Sequence, residues 1–230
     1  MARACVPGVR PTVNVLRAAI IAATLVAMLA GPVVAAAPPT RGIMPANARI
    51  HGHTLTELAT AWNYWAWATA PEDSAILGVR CEQSTLDPKI WFLPVSLGGE
   101  WETTCEVPPG TFLVMSPGAL ECSSVEPEPF FGSDAEELQA CVDEGFELLT
   151  YVEVTIDGRT VTDLAPYVLT ADLIDLPPNN LLSADPGISL TKGYFLVIHP
   201  LSRGTHTLRA YDEFAPLDFT AGITYTVIVE

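Results

Sequence analysis

Hydrophobic and polar positions change rhythm twice along this chain of 230 residues. From Ala18 to Ala30 the residues are apolar apart from one threonine and carry no charge. From Leu55 to Thr69 the apolar positions recur at helical spacing: Leu55, Leu58, Trp62 and Trp65 share one face. From about residue 90 the period shortens. Ile90–Leu93, Trp101–Val107 and Thr111–Met115 are short apolar or alternating runs, parted by Gly98-Gly99 and Pro108-Pro109-Gly110. That is the pattern of strands and turns.

Each rhythm predicts an element. Arg3, Arg10 and Arg17 precede the first apolar run; Gly31-Pro32 and the small residues Val34–Ala37 follow it. A basic start, an apolar core, a helix break and a small-residue end describe a secretory leader over residues 1–36. Ala18–Ala37 is about long enough to be retained as a membrane anchor, but the break and the small residues favour cleavage. Cys5 lies before the apolar core, so a lipid-modified cysteine at the mature N-terminus is not expected. No other stretch is long and apolar enough to span a bilayer. The mature protein is therefore expected to be secreted or held in the cell envelope, free of the membrane once cleaved.

Residues 37–53 lack periodicity and read as a flexible arm. Residues 54–230 read as one domain, long enough to bury a sizeable core. Thr54-Leu-Thr-Glu57 fits a capping box for a helix over 55–69, which Pro71 stops. Ser133-Asp-Ala-Glu136 fits another, opening a helix over 134–148. Beyond it, Tyr151–Ile156 alternates, and Asp157-Gly158 is a strong hairpin signal. Further strands are expected at Tyr167–Ile174, Tyr194–His199, Thr205–Tyr211 and Ile223–Val229, the second of them central because it is apolar on both faces. Short strands at this spacing predict a mainly β fold: an antiparallel β-sandwich, Ig-like or jelly-roll-like, with two packed α-helices.

Charge and cysteines narrow the class. Without the leader, 8 basic residues face 27 acidic ones, a net charge of −19. Such a field repels nucleic acid and anionic membranes and attracts cations or basic partners, though solubility is its commonest use. Four cysteines remain: Cys81, Cys105, Cys122 and Cys141. An even number in an exported chain implies disulfides, with three pairings open. The sequential pairing, Cys81–Cys105 and Cys122–Cys141, is favoured. Each bridge would stabilise by about 3 kcal/mol in the chain-entropy model. The spacings do not resemble a zinc site, and no histidine lies between Cys81 and Cys141.

Several stretches together resemble a family of exported bacterial proteins to which no activity is attached. They are the aromatic helix Trp62-Asn-Tyr64-Trp65-Ala-Trp67, the strand Trp91-Phe92-Leu93, the turn Cys105-Glu-Val-Pro108-Pro-Gly110, the cysteine, proline loop and helix of residues 122–141, and the hairpin Gly204-Thr-His206-Thr-Leu208. Tyr64 stands where the pattern would hold another tryptophan. The resemblance implies the same fold and export, and no mechanism.

Candidate chemistry is thin. His51-Gly-His53 could be a metal handle, but loop histidines beside a helix start are more often solvated. His199 and His206 read as histidines bonded to nearby loops. No Gly-x-Ser-x-Gly elbow occurs, and no serine, histidine and aspartate are singled out as a triad. Acidic pairs are many: Glu100 and Glu102, Glu126 and Glu128, Glu136 and Glu137, Asp143 and Glu144. Their abundance removes the signal for a two-carboxylate hydrolase. The stretch Glu121–Glu128 offers oxygen ligands, but the chain has no Asp-x-Asp-x-Asp-Gly calcium loop. Trp62 and Trp65 belong to the helix core; Trp67, Trp91 or Trp101 could line a sugar platform if exposed. No catalytic or metal-binding residues and no cofactor are therefore assigned. The expected function is a non-enzymatic extracellular module for an unidentified ligand or protein. A hydrolase using paired carboxylates or a bound metal, and a structural envelope protein, are the alternatives.

Overall fold

The computed structural model describes residues 42–230; the leader and the first residues of the expected arm lie outside the described residues. In chain order the elements are α1 (Leu55–Trp67), β1 (Glu82–Gln83), β2 (Ile90–Phe92), β3 (Gly99–Val107), β4 (Phe112–Ser123) and α2 (Ala135–Phe146). Then come β5 (Tyr151–Ile156), β6 (Arg159–Thr160), β7 (Val168–Thr170), β8 (Ile174–Leu176), β9 (Gly187–Ile198), β10 (Gly204–Phe214) and β11 (Phe219–Val229). Sheet A runs β1-β2-β4-β9-β7, with β8 also on β9; sheet B runs β3-β11-β10-β5-β6. The two sheets and two helices make the β-sandwich that the alternation predicts.

Both helices start where a side chain takes up free backbone N–H groups. The Thr54 hydroxyl accepts from Glu57 N, and the Glu57 carboxylate accepts from Thr54 N at 2.7 Å, the reciprocal box expected from the sequence. At α2 the cap moves one residue on. Asp134, not Ser133, accepts from the amides of Glu136 and Glu137, while Ser133 gives its own N–H and hydroxyl to Glu137. A carboxylate is the stronger acceptor for a positive helix end.

Sheet A is covered on both faces. On β9, Thr191 and Phe195 face α1: the Thr191 hydroxyl donates to Asn63, and Phe195 packs edge-on against Trp62, centroids 5.9 Å apart. Lys192 and Tyr194 face the other way. Lys192 pairs with Asp143 of α2 at 2.6 Å, and Tyr194 stacks on Phe146. Sheet B covers the rest of that second face. It alternates cleanly: Leu208, Ala210, Asp212 and Phe214 are buried, while Arg209 on the outer face reaches Glu100 and Glu153 on neighbouring strands. The disulfide Cys81–Cys105 ties the chain before β1 to β3, and Cys122–Cys141 pins α2 to β4.

Several expectations are corrected. The arm is not loose from residue 42 onward: Ile43 and Ile50 are buried, Ile43 bridges Ile198, and Met44 N donates to Val197 O. Two buried isoleucines outweigh the Pro and Ala around them. The sheets are not wholly antiparallel, because β2 pairs β4, and β3 pairs β11, in parallel. The single strand expected at Tyr167–Ile174 is a 3₁₀ turn at Ala165–Tyr167 and two short strands. The run Thr111–Met115 is only the start of β4, which continues past a bulge between Met115 and Gly118.

Candidate functional site

A cavity lies where sheet A loses a strand. β2 pairs with β4 through Ile90–Phe92 and Phe112–Val114, and Leu93 N still reaches Val114 O. The chain then turns away at Pro94, which has no N–H to continue the ladder. It crosses toward sheet B, held there by the Tyr225 hydroxyl donating to Pro94 O at 2.6 Å. Gly98 and Gly99, both at positive φ (124° and 71°), complete the turn into β3. Among the described residues the second half of β4 has no neighbour on that side until Ser123, whose backbone exchanges bonds with Phe130 and Gly132.

A pocket of about 830 Å³ fills this gap, within the size range of small-molecule sites. Trp62, Trp67 and Leu182 wall it on the α1 side; Phe214, Ala221 and Ile223 wall it on the sheet B side. Leu77, Leu97 and Leu217 stand at its rim and are 49, 42 and 43% exposed. Exposed leucines gathered round an apolar pocket mark a binding surface more than scattered ones do.

Three carboxyl groups enter this apolar space. Glu121 accepts from the Ser189 hydroxyl and shares a hydrogen bond with Glu126, which takes the Ser123 hydroxyl at 3.0 Å. Burial first, and the neighbouring Glu126 second, hold Glu121 well above the usual carboxylate range. Asp212 is 9% exposed, and its recorded hydrogen-bonding partner is its own backbone amide. Burial pushes it up to about 7. Two polar atoms of the lining, Ser116 Oγ and Trp67 Nε1, are buried without a partner among the described residues, as is Asn63 Nδ2 behind Thr191. The pocket thus offers hydrogen-bonding groups within apolar walls.

Of the residues singled out from sequence, Trp62, Trp67, Glu121 and Glu126 line this pocket; the others fall elsewhere. His51 sits at positive φ and bonds Asp87 at 2.9 Å, while Ile50 and His53 bridge each other across a tight turn. His199 gives its backbone N–H to Gly42. Glu100 pairs with Arg209, Glu137 with Ser133, and Asp143 with Lys192. Among the described residues no three His, Cys, Asp or Glu side chains converge as a metal site, so the stretch Glu121–Glu128 does not assemble a calcium cage. Trp62 is buried; Trp65, Trp67, Trp91 and Trp101 pack partly buried against the core, and none forms an exposed platform.

One triad-like arrangement does form. His206 Nδ1 lies 2.8 Å from Asp157, and its Nε2 lies 3.3 Å from Ser202 Oγ. The same Nε2 is nearer, at 2.9 Å, to the Ser202 carbonyl oxygen. A carbonyl oxygen only accepts, so Nε2 carries a proton and cannot take one from the serine. The bond to Asp157 raises His206 above its ordinary value. The group is a charged clamp between the β5–β6 hairpin turn and the loop that carries the chain from β9 to β10.

Asp212 is what sequence reading missed, and Glu121, read there as a loop oxygen ligand, lies instead within β4. Glu121 alternates with Leu120 and Cys122 as an outward residue should, but α1 covers that outward face. Asp212 continues the inward series Leu208, Ala210 of a strand that the sequence reading ends at Tyr211; a carboxylate in phase with buried positions was its signal.

Compared with protein families, the chain matches no family model, and it matches no curated protein. Among solved structures it is similar to that of PbICP-C in complex with falcipain-2, at 11% identity and a TM-score of 0.27, over 61% of this chain and 98% of that one. A likeness that loose carries no functional argument.

Proposed function

We propose that this protein is an exported, non-enzymatic binding module and that the pocket beside β4 is its binding site. The pocket itself carries the reading: an apolar space of about 830 Å³ opens at a sheet edge and is rimmed by exposed leucines. Two disulfides fit an extracellular protein, and no helix among the described residues is long and apolar enough to cross a membrane. The basic, apolar and small-residue pattern of residues 1–36 supplies the export route, with cleavage leaving the chain to start near Ala37.

The test uses the processed protein and Nile red, a neutral probe that the acidic surface does not repel. Saturable binding with a blue-shifted emission, quenching of the Trp62 and Trp67 fluorescence, and loss of both in Leu97→Asp or Leu217→Asp are expected. Both leucines are exposed, so these variants keep the fold. Unsaturable binding that neither variant changes would sink the assignment.

A hydrolase is the second reading, favoured by raised carboxyl groups in one pocket. Against it, Glu121 and Glu126 bond each other directly, whereas glycosidase pairs stand roughly 5 Å or more apart. Turnover of a glycoside panel that Glu121→Gln abolishes would establish it.

A further inference from the structure

The pocket follows the outline of an absent strand. Ala171 N donates to Thr191 O, so Thr191 and Gly193 spend their backbone groups on the β7 side of β9. Their partners across the other ladder, Glu121 and Ala119, are then the non-bonded pairs of β4–β9, and their N–H and C=O groups point out of the sheet edge. Ser123, next in the same phase, shows that direction by bonding Phe130 and Gly132. Among the described residues nothing pairs with the backbone of Ala119 or Glu121. Pro94 turns the natural neighbour away, and Pro117 marks the upper end of the gap. An edge of this kind is a template for another chain.

The walls agree with a strand. A strand laid along β4 points alternate side chains to opposite faces. Here one face meets Trp62 and Trp67, the other Phe214 and Ile223, so both sets of side chains would find apolar surface. The gap between Pro117 and Ser123 runs roughly 15–20 Å at strand rise, room for a short segment. At its upper end, beside Gly118, lies Asp212, more than nine-tenths buried and without a side-chain partner among the described residues. A strongly negative protein attracts basic partners, and a buried carboxylate gains most from one.

Resting on the pocket as binding site, we infer that its ligand is an extended peptide segment of a protein partner. The segment pairs its backbone with Ala119 and Glu121, sets apolar residues two apart into the pocket, and brings a lysine or arginine to Asp212. Such strand addition takes affinity from main-chain bonds and specificity from alternate side chains.

Panning the processed protein against displayed random peptides of strand length tests this. Enriched sequences should carry apolar residues two apart and a basic residue, and their synthetic forms should compete with Nile red. N-methylation of the amides that face β4 should weaken binding about tenfold or more, and methylation of the alternate amides should not. In Asp212→Asn, which keeps the side chain's shape, the preference for lysine or arginine should vanish. Enriched peptides indifferent to N-methylation at every position would overturn strand addition, and a basic preference surviving in Asp212→Asn would overturn the role of that residue. Nile red binding with no peptide enriched would leave the pocket a binding site and defeat the peptide inference alone. Failure of both probes would defeat the two together.

Discussion

Gly145 of α2 lies directly over Leu120 of β4: a Cβ at 145 would stand 2.0 Å from a Leu120 methyl carbon. The absent side chain lets α2 approach the sheet closely enough for Cys141 to reach Cys122. Gly145→Ala should therefore destabilise, although Ala is the better helix former. About 1–3 kcal/mol of overpacking is expected, against roughly 1 kcal/mol gained in propensity. Denaturant unfolding would measure it, and adding Leu120→Ala should recover part of the loss. Simple additivity of the two variants would show that they do not touch.

Opening the Cys122–Cys141 bridge as a double serine variant should cost about 3 kcal/mol by loop entropy. Because α2 is held otherwise by Lys192–Asp143 and a small apolar contact, its amides should exchange with solvent faster while those of sheet B keep their protection. Uniform loss of protection across both would contradict local anchoring.

Asp212 gives stability a pH dependence of definite sign. Its folded value is raised from 3.8 to about 7, so the unfolded chain ionises first as pH rises. The protonated form favours the fold below about pH 4, and that advantage is lost as pH climbs through 7. Asp212→Asn should match the parent at pH 4 and exceed it at pH 8 by an amount on the order of 2–4 kcal/mol. Thermal unfolding of both proteins across that range is the check.

The His206–Asp157 clamp behaves oppositely at its two ends. His206 is raised from 6.5 by its bond to Asp157, so its contribution is present below about 6.5 and fades as pH passes its folded value. Asp157 is lowered from 3.8 by the same bond, so its contribution is present above about 4 and is lost in acid. Asp157→Asn should lower the melting temperature most between about pH 4 and 6.5 and least near pH 9. Asp157 is nearly half exposed, so the effect should be about 1 kcal/mol or less.

What the sequence reveals is local. The Thr54 box, the Asp157-Gly158 turn (both residues at positive φ), the strand Tyr151–Ile156 and the near-sequential cysteine pairs all appear in the structure. Each depends on residues close together in the chain. The parallel pairing of β3 with β11 does not: Gly99 meets the distant Ala221, a match decided by how whole layers stack. Ile43 and Ile50 were hidden by the prolines and alanines near them. The pocket was least visible, since it arises where β2 leaves β4, and no pattern within β4 records a missing neighbour.

The parallel pairing of β3 with β11 also sets an order of events. β11 lies between β3 and β10 in sheet B, yet it follows β3 by more than a hundred residues. A nascent chain that has emerged only as far as β9 holds β3 with no ladder to join. The β10–β11 hairpin must form before β3 can dock, so sheet B closes only once Phe219–Val229 is free. Until then the Cys81–Cys105 bridge would tether β3 to the edge of sheet A and keep it waiting near its place.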